Sequence, residues 1–237
     1  MVDDIVKGQK NVASLMFKSE QSSYLAGVAA ATQAKQSGSN KVGFIGGMQG
    51  PVIDRFQAGY IDGVKSVDKS MKVNVVYVNS YTDAPKGQTI AKTMLAQGTK
   101  VIFAAAGSAG NGAFTAVKQD NAGLNADSKD RAYMIGVDID QYQDGVYTSK
   151  DGKKQSATLT TSLTEVGNGL KDIANKSMKG HFPAGKTVWY GLKEKGVGIT
   201  TNNLDDEEKS AVKTAENNIL SGKVTVKSAP DSYSSEQ

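Results

Sequence analysis

The chain has 237 residues, a formal net charge of +4 and no cysteine, a length that suits one large domain or two small ones. Without cysteine there is no disulfide scaffold, thiolate zinc site or cysteine nucleophile, and a lone His181 excludes a histidine-based metal cage. No apolar run approaches the ~18 residues of a membrane span, and the lysines are dispersed rather than gathered into a nucleic-acid-binding arm.

Asp3 follows a lone apolar Val2, like the end of a strand whose beginning is missing. Residues 11–17 read as a strand, 24–34 as an alanine-rich helix and 36–40 as a connector. The strongest pattern then begins: strand, glycine turn, helix, repeated. Residues 41–46 form an apolar run ending in glycine. Pro51 opens a helix over 52–67 whose Ile53, Phe56, Tyr60, Ile61 and Val64 share one face. Residues 71–79 read as a buried strand, 85–97 as a helix stopped by Gly98, 100–106 as a strand, 107–112 as a glycine loop, 113–119 as a helix and 133–137 as a strand. Beyond them, 143–155 reads as a polar surface loop, 157–163 as β-prone and 166–178 as a helix. Residues 187–192 read as a strand, 205–220 as a helix with an acidic first turn, 224–226 as a last short strand and 228–237 as a frayed tail.

Four short apolar strands separated by helices predict a doubly wound parallel α/β sheet. In such sheets ligands lie beyond the carboxyl ends of the strands. Gly46, Gly47, Ser80, Tyr81, Gly107, Ser108, Asp138 and Asp140 all fall there. The loop GSAGNG (107–112) matches neither a dinucleotide nor a Walker fingerprint. Its glycines either make a tight turn for packing or present N–H groups to a neutral ligand. DIDQYQDG (138–145) fails as a calcium loop, because Tyr142 and Ser149 stand where oxygen ligands are needed. Asp138 is instead suited to accept two sugar hydroxyls, or to cap a turn. Tyr81 is either a core tyrosine or an aromatic face for a planar ring. No serine has a visible base and orienter, so hydrolysis has no support.

Taken together, KVGFIGGM (41–48) with RFQAGY (55–60), YVNSYTD (77–83) with KG (86–87), IFAAAG (102–107) and IGVDIDQ (135–141) resemble the basic membrane protein family of bacterial lipoproteins, specifically its purine nucleoside receptor A-type members. The resemblance covers nearly the whole chain. It implies a type I periplasmic-binding-protein fold, with doubly wound parallel sheets in two lobes closing on a purine nucleoside. The implied role is the solute-binding component of an ABC importer, not an enzyme, with no cofactor and no metal. Residues 1–39 are then expected as a remnant of lobe one, 40–163 as a complete lobe two, and 164–237 as a helix returning to lobe one plus C-terminal strands and a helix.

Carried over by motif, Tyr81 matches the aromatic that stacks on one purine face, and Gly107, with Ser108 beside it, lies in the glycine turn that contacts the ligand. Asp138 matches the aspartate that binds ribose hydroxyls, and Asp3, or alternatively Asp4, the strand-end aspartate of lobe one. Thr164 stands where family members carry lysine, a change expected to weaken the ribose side or alter ligand preference. The implied partners are the nucleoside and a transporter permease, with no nucleic acid. The implied location is the cell surface, through a lipid anchor. Because the signal peptide, lipidated cysteine and first lobe-one strands of the family are not in this sequence, the chain is expected to be N-terminally truncated, with weakened binding and an association-prone edge.

Two other classes fit the same sheet. A nucleotide- or sugar-nucleotide-dependent enzyme with a Rossmann-like domain would use the Gly107 loop and need an acid/base pair beside it. A sugar-binding effector domain of a transcription regulator would need a helix-turn-helix.

Overall fold

The computed structural model describes residues 1–230. In chain order the elements are β1 (Ser14–Phe17), α1 (Ser19–Gln36), β2 (Lys41–Gly46), α2 (Pro51–Val67), β3 (Lys72–Tyr77), α3 (Ala84–Ala96), β4 (Val101–Ala105), α4 (Ala109–Ala122) and β5 (Tyr133–Asp138). A 3-10 turn (Gln143–Gly145) leads to β6 (Val146–Thr148) and β7 (Lys154–Ser156). Then come β8 (Thr158–Thr164), α5 (Val166–Met178), β9 (Thr187–Tyr190), β10 (Val197–Ile199) and α6 (Asp206–Leu220).

Six strands form one sheet in the order β10-β8-β5-β4-β2-β3, parallel except for β10. The chain starts in β2, steps outward to β3, then reverses through β4, β5 and β8, so the switch point lies between the tips of β2 and β4. Alternate residues serve opposite faces. Phe44 and Phe103 meet edge to face at 5.5 Å and pack with Tyr60 and Phe56 of α2. Ile45, Ile102 and Met134 face Met94 of α3 and Phe114 of α4 on the other side. Local signals set the helix starts: Pro51 opens α2, and the Asp83 carboxylate caps α3 by accepting the Lys86 N–H at 3.0 Å.

A smaller parallel pair, β1 with β9, carries a third rung where Val2 bridges Leu15. α5 packs its Gly169 against Phe17, Leu15 and Tyr190 of this pair. Arg55 of α2 ties the two sheets together: it pairs with Glu20 of α1 at 3.1 Å and sits 4.5 Å from the ring of Trp189 on β9.

The structure differs from the sequence expectations at several points. α1 does not group with the first fifteen residues as a lobe-one piece. It packs along α2, α6 and β8 of the large sheet, because Gly27, Gly59 and Gly63 let the α1 and α2 backbones approach closely. β10 and α6 likewise return to the large sheet, while α5 and β9 stay with β1. The polar stretch 143–155 is a hairpin, its turn closed by Ser149, which donates to Asp151 at 2.6 Å. α4 begins at Ala109, so most of the expected 107–112 loop is helix. Residues 224–226 form no strand; Val224 and Val226 are half-buried against the main core instead. Of the expected tail, 231–237 lie outside the described residues.

α6 begins with a capping box in which Asp205 accepts the Glu208 N–H and Glu208 Oε2 accepts the Asp205 N–H, each at 2.8 Å. Glu208 is 1% exposed, and burial, reinforced by the Asp205 and Glu207 charges, pushes its pKa up to about 7. A carboxyl that holds its proton more tightly when folded favours folding at low pH. Stability is therefore expected to fall as pH rises from about 4.5 to about 7, by no more than about 3 kcal/mol from this group. Urea titrations of the protein and of Glu208→Gln across that range check this. The variant should lack the decline, and parallel pH profiles would refute it.

Candidate functional site

The carboxyl-terminal tips of the parallel strands form one edge, and the chain is unusually bent there. Asn79 beyond β3 and Asp138 at the end of β5 adopt left-handed φ values of 57° and 67°, and Asp3 does so at 55°. Asn and Asp tolerate this region better than most residues, and such strain is often retained where a site needs a side chain re-aimed.

At the β3 tip, the turn through Asn79 carries Tyr81 back over β2. Its ring lies on Gly47, where a β-carbon would overlap it. Gly47 donates its N–H to the Ala105 carbonyl at 3.0 Å, so the ring also spans the β2–β4 switch point. The Tyr81 carbonyl accepts from the Ser108 hydroxyl and from the Ala109 N–H, both at 3.0 Å. Gly107, at φ 56°, passes close beneath; a β-carbon there would stand 3.0 Å from the Tyr81 oxygen. Tyr81, Gly107 and Ser108 thus form one locked corner. Gly112 serves packing instead, since a β-carbon on it would overlap Ala84 at the start of α3.

One strand over, Thr164 at the end of β8 donates its hydroxyl to Asp138 Oδ1 at 2.8 Å. The outer face of Asp138 is open, but its carboxyl is enclosed enough for lost hydration to raise its pKa, against the lowering by the Thr164 hydroxyl. Asp3 comes from the small sheet, where its N–H donates to the Leu15 carbonyl at 3.0 Å. Its pKa is also raised, first by burial and then by the charge of Asp138. Two carboxylates from different sheets therefore share one field, an arrangement suited to accepting hydroxyl hydrogens between them. Asp4 instead folds onto its own chain, accepting the Ile5 N–H at 2.8 Å.

The six sequence-selected residues thus make two groups on the same edge: Tyr81 with Gly107 and Ser108, and Asp138 with Thr164 and Asp3. At about 4.8 Å per strand, the β2 tip under Tyr81 and the β5 tip at Asp138 are roughly 10 Å apart. Sequence reasoning gave no role to three further residues. Met48 (48% exposed) and Ile139 (72%) join Tyr81 (43%) as large apolar side chains beyond these strands; the available signal was an apolar residue directly after a strand-end glycine or aspartate. Gln141 braces the Asp138 turn, its Oε1 accepting the Val137 N–H at 2.8 Å while its N–H donates to Thr161. Asp140 and Asp144 are spent on turn contacts with the Tyr142 N–H and the Gln141 side chain.

Comparison with known proteins places the chain in a family. The model of the Bmp family, described as "ABC transporter substrate-binding protein PnrA-like", matches residues 1–229. The chain is 46% identical over 228 residues to the "ABC transporter nucleoside-binding protein BmpA" of Lactococcus lactis, covering 96% of this chain and 64% of that protein. It is 39% identical to the "CD4+ T-cell-stimulating antigen" of Listeria monocytogenes, at 97% and 63% coverage. It is 30% identical to "Basic membrane protein A" of Borreliella burgdorferi, at 94% and 61%. The chain therefore spans less than two thirds of the length of these relatives. Among solved structures, an ABC transporter solute-binding protein of Aeropyrum pernix K1 superimposes with a TM-score of 0.78 at 24% identity, covering 99% of this chain and 72% of that one. A transcriptional activator of the comK gene from Bacillus halodurans gives 0.75 at 20% identity, covering 94% and 70%. At those identities the likeness shows the fold, that of the type I periplasmic binding proteins.

Proposed function

The chain belongs to the Bmp family of PnrA-like ABC transporter substrate-binding proteins, and on that premise we propose that it binds a purine nucleoside and delivers it unaltered to a transporter permease. The observation that carries this reading is the pairing of an aromatic corner with a carboxylate corner, roughly 10 Å apart on one sheet edge. A fused planar ring fits the first and a pentose the second. The base lies on Tyr81, flanked by Met48 and Ile139. Asp138, oriented by Thr164, accepts two ribose hydroxyls, and Asp3 reaches the same sugar from the small sheet. Gly107 and Ser108 bring backbone and hydroxyl dipoles close to the ring.

Under this reading the large sheet is one lobe, and β1, β9, α5 and the Val2 rung belong to a second lobe that closes over the ligand. The Arg55–Glu20–Trp189 contact joins the two. Selectivity follows from burial, because a carboxylate built for hydroxyls is left unpaired by a ligand without them. Delivery implies a location outside the cytoplasmic membrane, held near the permease.

Titration calorimetry with guanosine, adenosine, ribose and NAD tests the reading on this chain and on a chimera adding the part of the Lactococcus lactis relative outside the matched region. Saturable nucleoside heat in either protein supports it; heat with NAD alone, or with none of the four in both proteins, rejects it. Tyr81→Ala is expected to weaken guanosine binding roughly 5- to 150-fold, corresponding to about 1–3 kcal/mol of stacking. Tyr81→Phe should change it little, since the hydroxyl reaches the Met48 carbonyl only at 3.5 Å.

A further inference from the structure

A cavity of about 430 Å³ opens at the end of the large sheet opposite the strand tips described above. It is lined by Tyr133 and Thr158, the first residues of β5 and β8, and so lies about 16 Å from the Asp138 tip at 3.3 Å per residue. Its size is within the range of small-molecule pockets, and none of its lining residues belongs to the nucleoside site proposed above.

The cavity carries charges of both signs that are not paired with each other. The N-cap and first turn of α6 supply Asp205 and Glu208; the segment entering β5 and the β6–β7 hairpin supply Arg131, Lys154 and Gln155. Glu208 is the informative residue. One oxygen, Oε2, is used by the capping box, while Oε1 is fully buried and finds no hydrogen-bond partner among the described residues. A buried unpartnered carboxyl oxygen is costly, and this one belongs to a residue that lines a cavity.

Arg131 is held but not exhausted. It donates to Gln155 Oε1 at 3.1 Å, to the Tyr133 hydroxyl at 3.0 Å and to the Ser128 carbonyl at 3.4 Å, and lies 5.5 Å from the Tyr133 ring centroid. Those contacts engage three of the five N–H groups a guanidinium carries, leaving one on each terminal nitrogen for a further acceptor. Asp205 and Glu208 lie near enough for their charges to act on the Tyr133 hydroxyl, so the acidic and basic groups flank the same ring. No ion pair joins Arg131 or Lys154 to Glu208 among the described residues.

We propose that this cavity binds a small zwitterion, an α-amino acid or a molecule of the same chemistry, its ammonium drawing the Glu208 carboxyl toward the cavity so that the buried Oε1 accepts from it, and its carboxylate on Arg131 and Lys154. One ligand group supplies the donor that Glu208 lacks, and the other the acceptor that the guanidinium can still take. An anion alone leaves Oε1 unsatisfied, and a cation alone meets Arg131.

Glycine, L-serine and L-glutamate, titrated individually by calorimetry, test this against acetate and ethylamine, which carry one charged group each, and glycerol, which carries none. At least one amino acid should give saturable heat with a Kd below about 10 mM, and the controls should give none. Glu208→Gln and Arg131→Gln should each weaken that binding at least about tenfold. Lys154→Gln, at an exposed position, serves as a third variant should the buried substitution lower the melting temperature. No heat from any of the three amino acids, equal heat from acetate or ethylamine, or unchanged binding in Arg131→Gln and Lys154→Gln would overturn the proposal. A failure of guanosine to bind leaves this result readable, because the two sites share no residue.

Discussion

Asp138→Ala is expected to lower guanosine affinity at least about 100-fold without unfolding the protein, since two hydrogen bonds to a charged acceptor are each worth about 1.5–3 kcal/mol. Asp138 has no substitute on its own strand tip, because Thr164 is already committed as its donor at 2.8 Å. The backbone at Asp138 is left-handed, so alanine adds strain that a control must separate from chemistry. Asp138→Asn tolerates that conformation and keeps the shape, but it offers one neutral acceptor in place of a carboxylate. It should lose roughly tenfold or more, with a melting temperature close to that of the parent. A fall of less than about threefold in both variants removes Asp138 from the site. Affinity should also weaken on acidification, because protonation takes away acceptor capacity. The pKa values of Asp3 and Asp138 are both raised from 3.8, so the weakening begins at a higher pH than for ordinary aspartates.

The largest effect on stability is expected at the α1–α2 seam. A β-carbon on Gly59 would overlap the Glu20 carbonyl oxygen, and one on Gly63 the Tyr24 carbonyl oxygen. Both obstacles are helix backbone, which cannot swing aside as a side chain can. Gly63→Ala would gain up to about 1 kcal/mol of helix propensity in isolation. Here it must push two helices apart, loosening the Arg55–Glu20 pair and the Tyr60–Phe44–Phe103 cluster. The net loss should be about 3 kcal/mol or more, seen as a melting temperature lower by about 6–12 °C in a domain of this size. Gly167→Ala is the contrasting control. It lies in the first turn of α5 with nothing within 4 Å of a new β-carbon, so stability should stay level or rise by up to about 1 kcal/mol. Equal melting temperatures for the two variants would refute the close-approach account.

These two sites also show what a sequence discloses. β2 and β4 were legible because each is a short apolar run buried on both faces that leads into a glycine turn, as KVGFIG and VIFAA do, whereas β3, which read as a buried strand, lies half-buried at the edge of the sheet. The strand tips then named the site edge through topology alone. The folding of Tyr81 over Gly47 was not legible, because it depends on the left-handed turn at Asn79 and on which strand lies next to β3. Nor was the closeness of Asp3 to Asp138, which crosses from one sheet to the other. Within GSAGNG, Gly107 makes the turn while Gly112 makes room for α3, and no local pattern separates those duties. Val197-Gly-Ile199 is too short to announce a strand, whereas the valines at 224 and 226 have β propensity but find individual places against the core. α1 misled the domain division because its buried faces extend around most of the helix, leaving no single apolar stripe to say which layer it joins.

The crystal structure of the guanosine complex tests the central claim most directly. The purine should lie flat on the Tyr81 ring above Gly47, with both ribose hydroxyls within hydrogen-bond distance of the Asp138 carboxylate. A nucleoside bound elsewhere on the molecule, or bound here with its sugar turned away from Asp138, would contradict it.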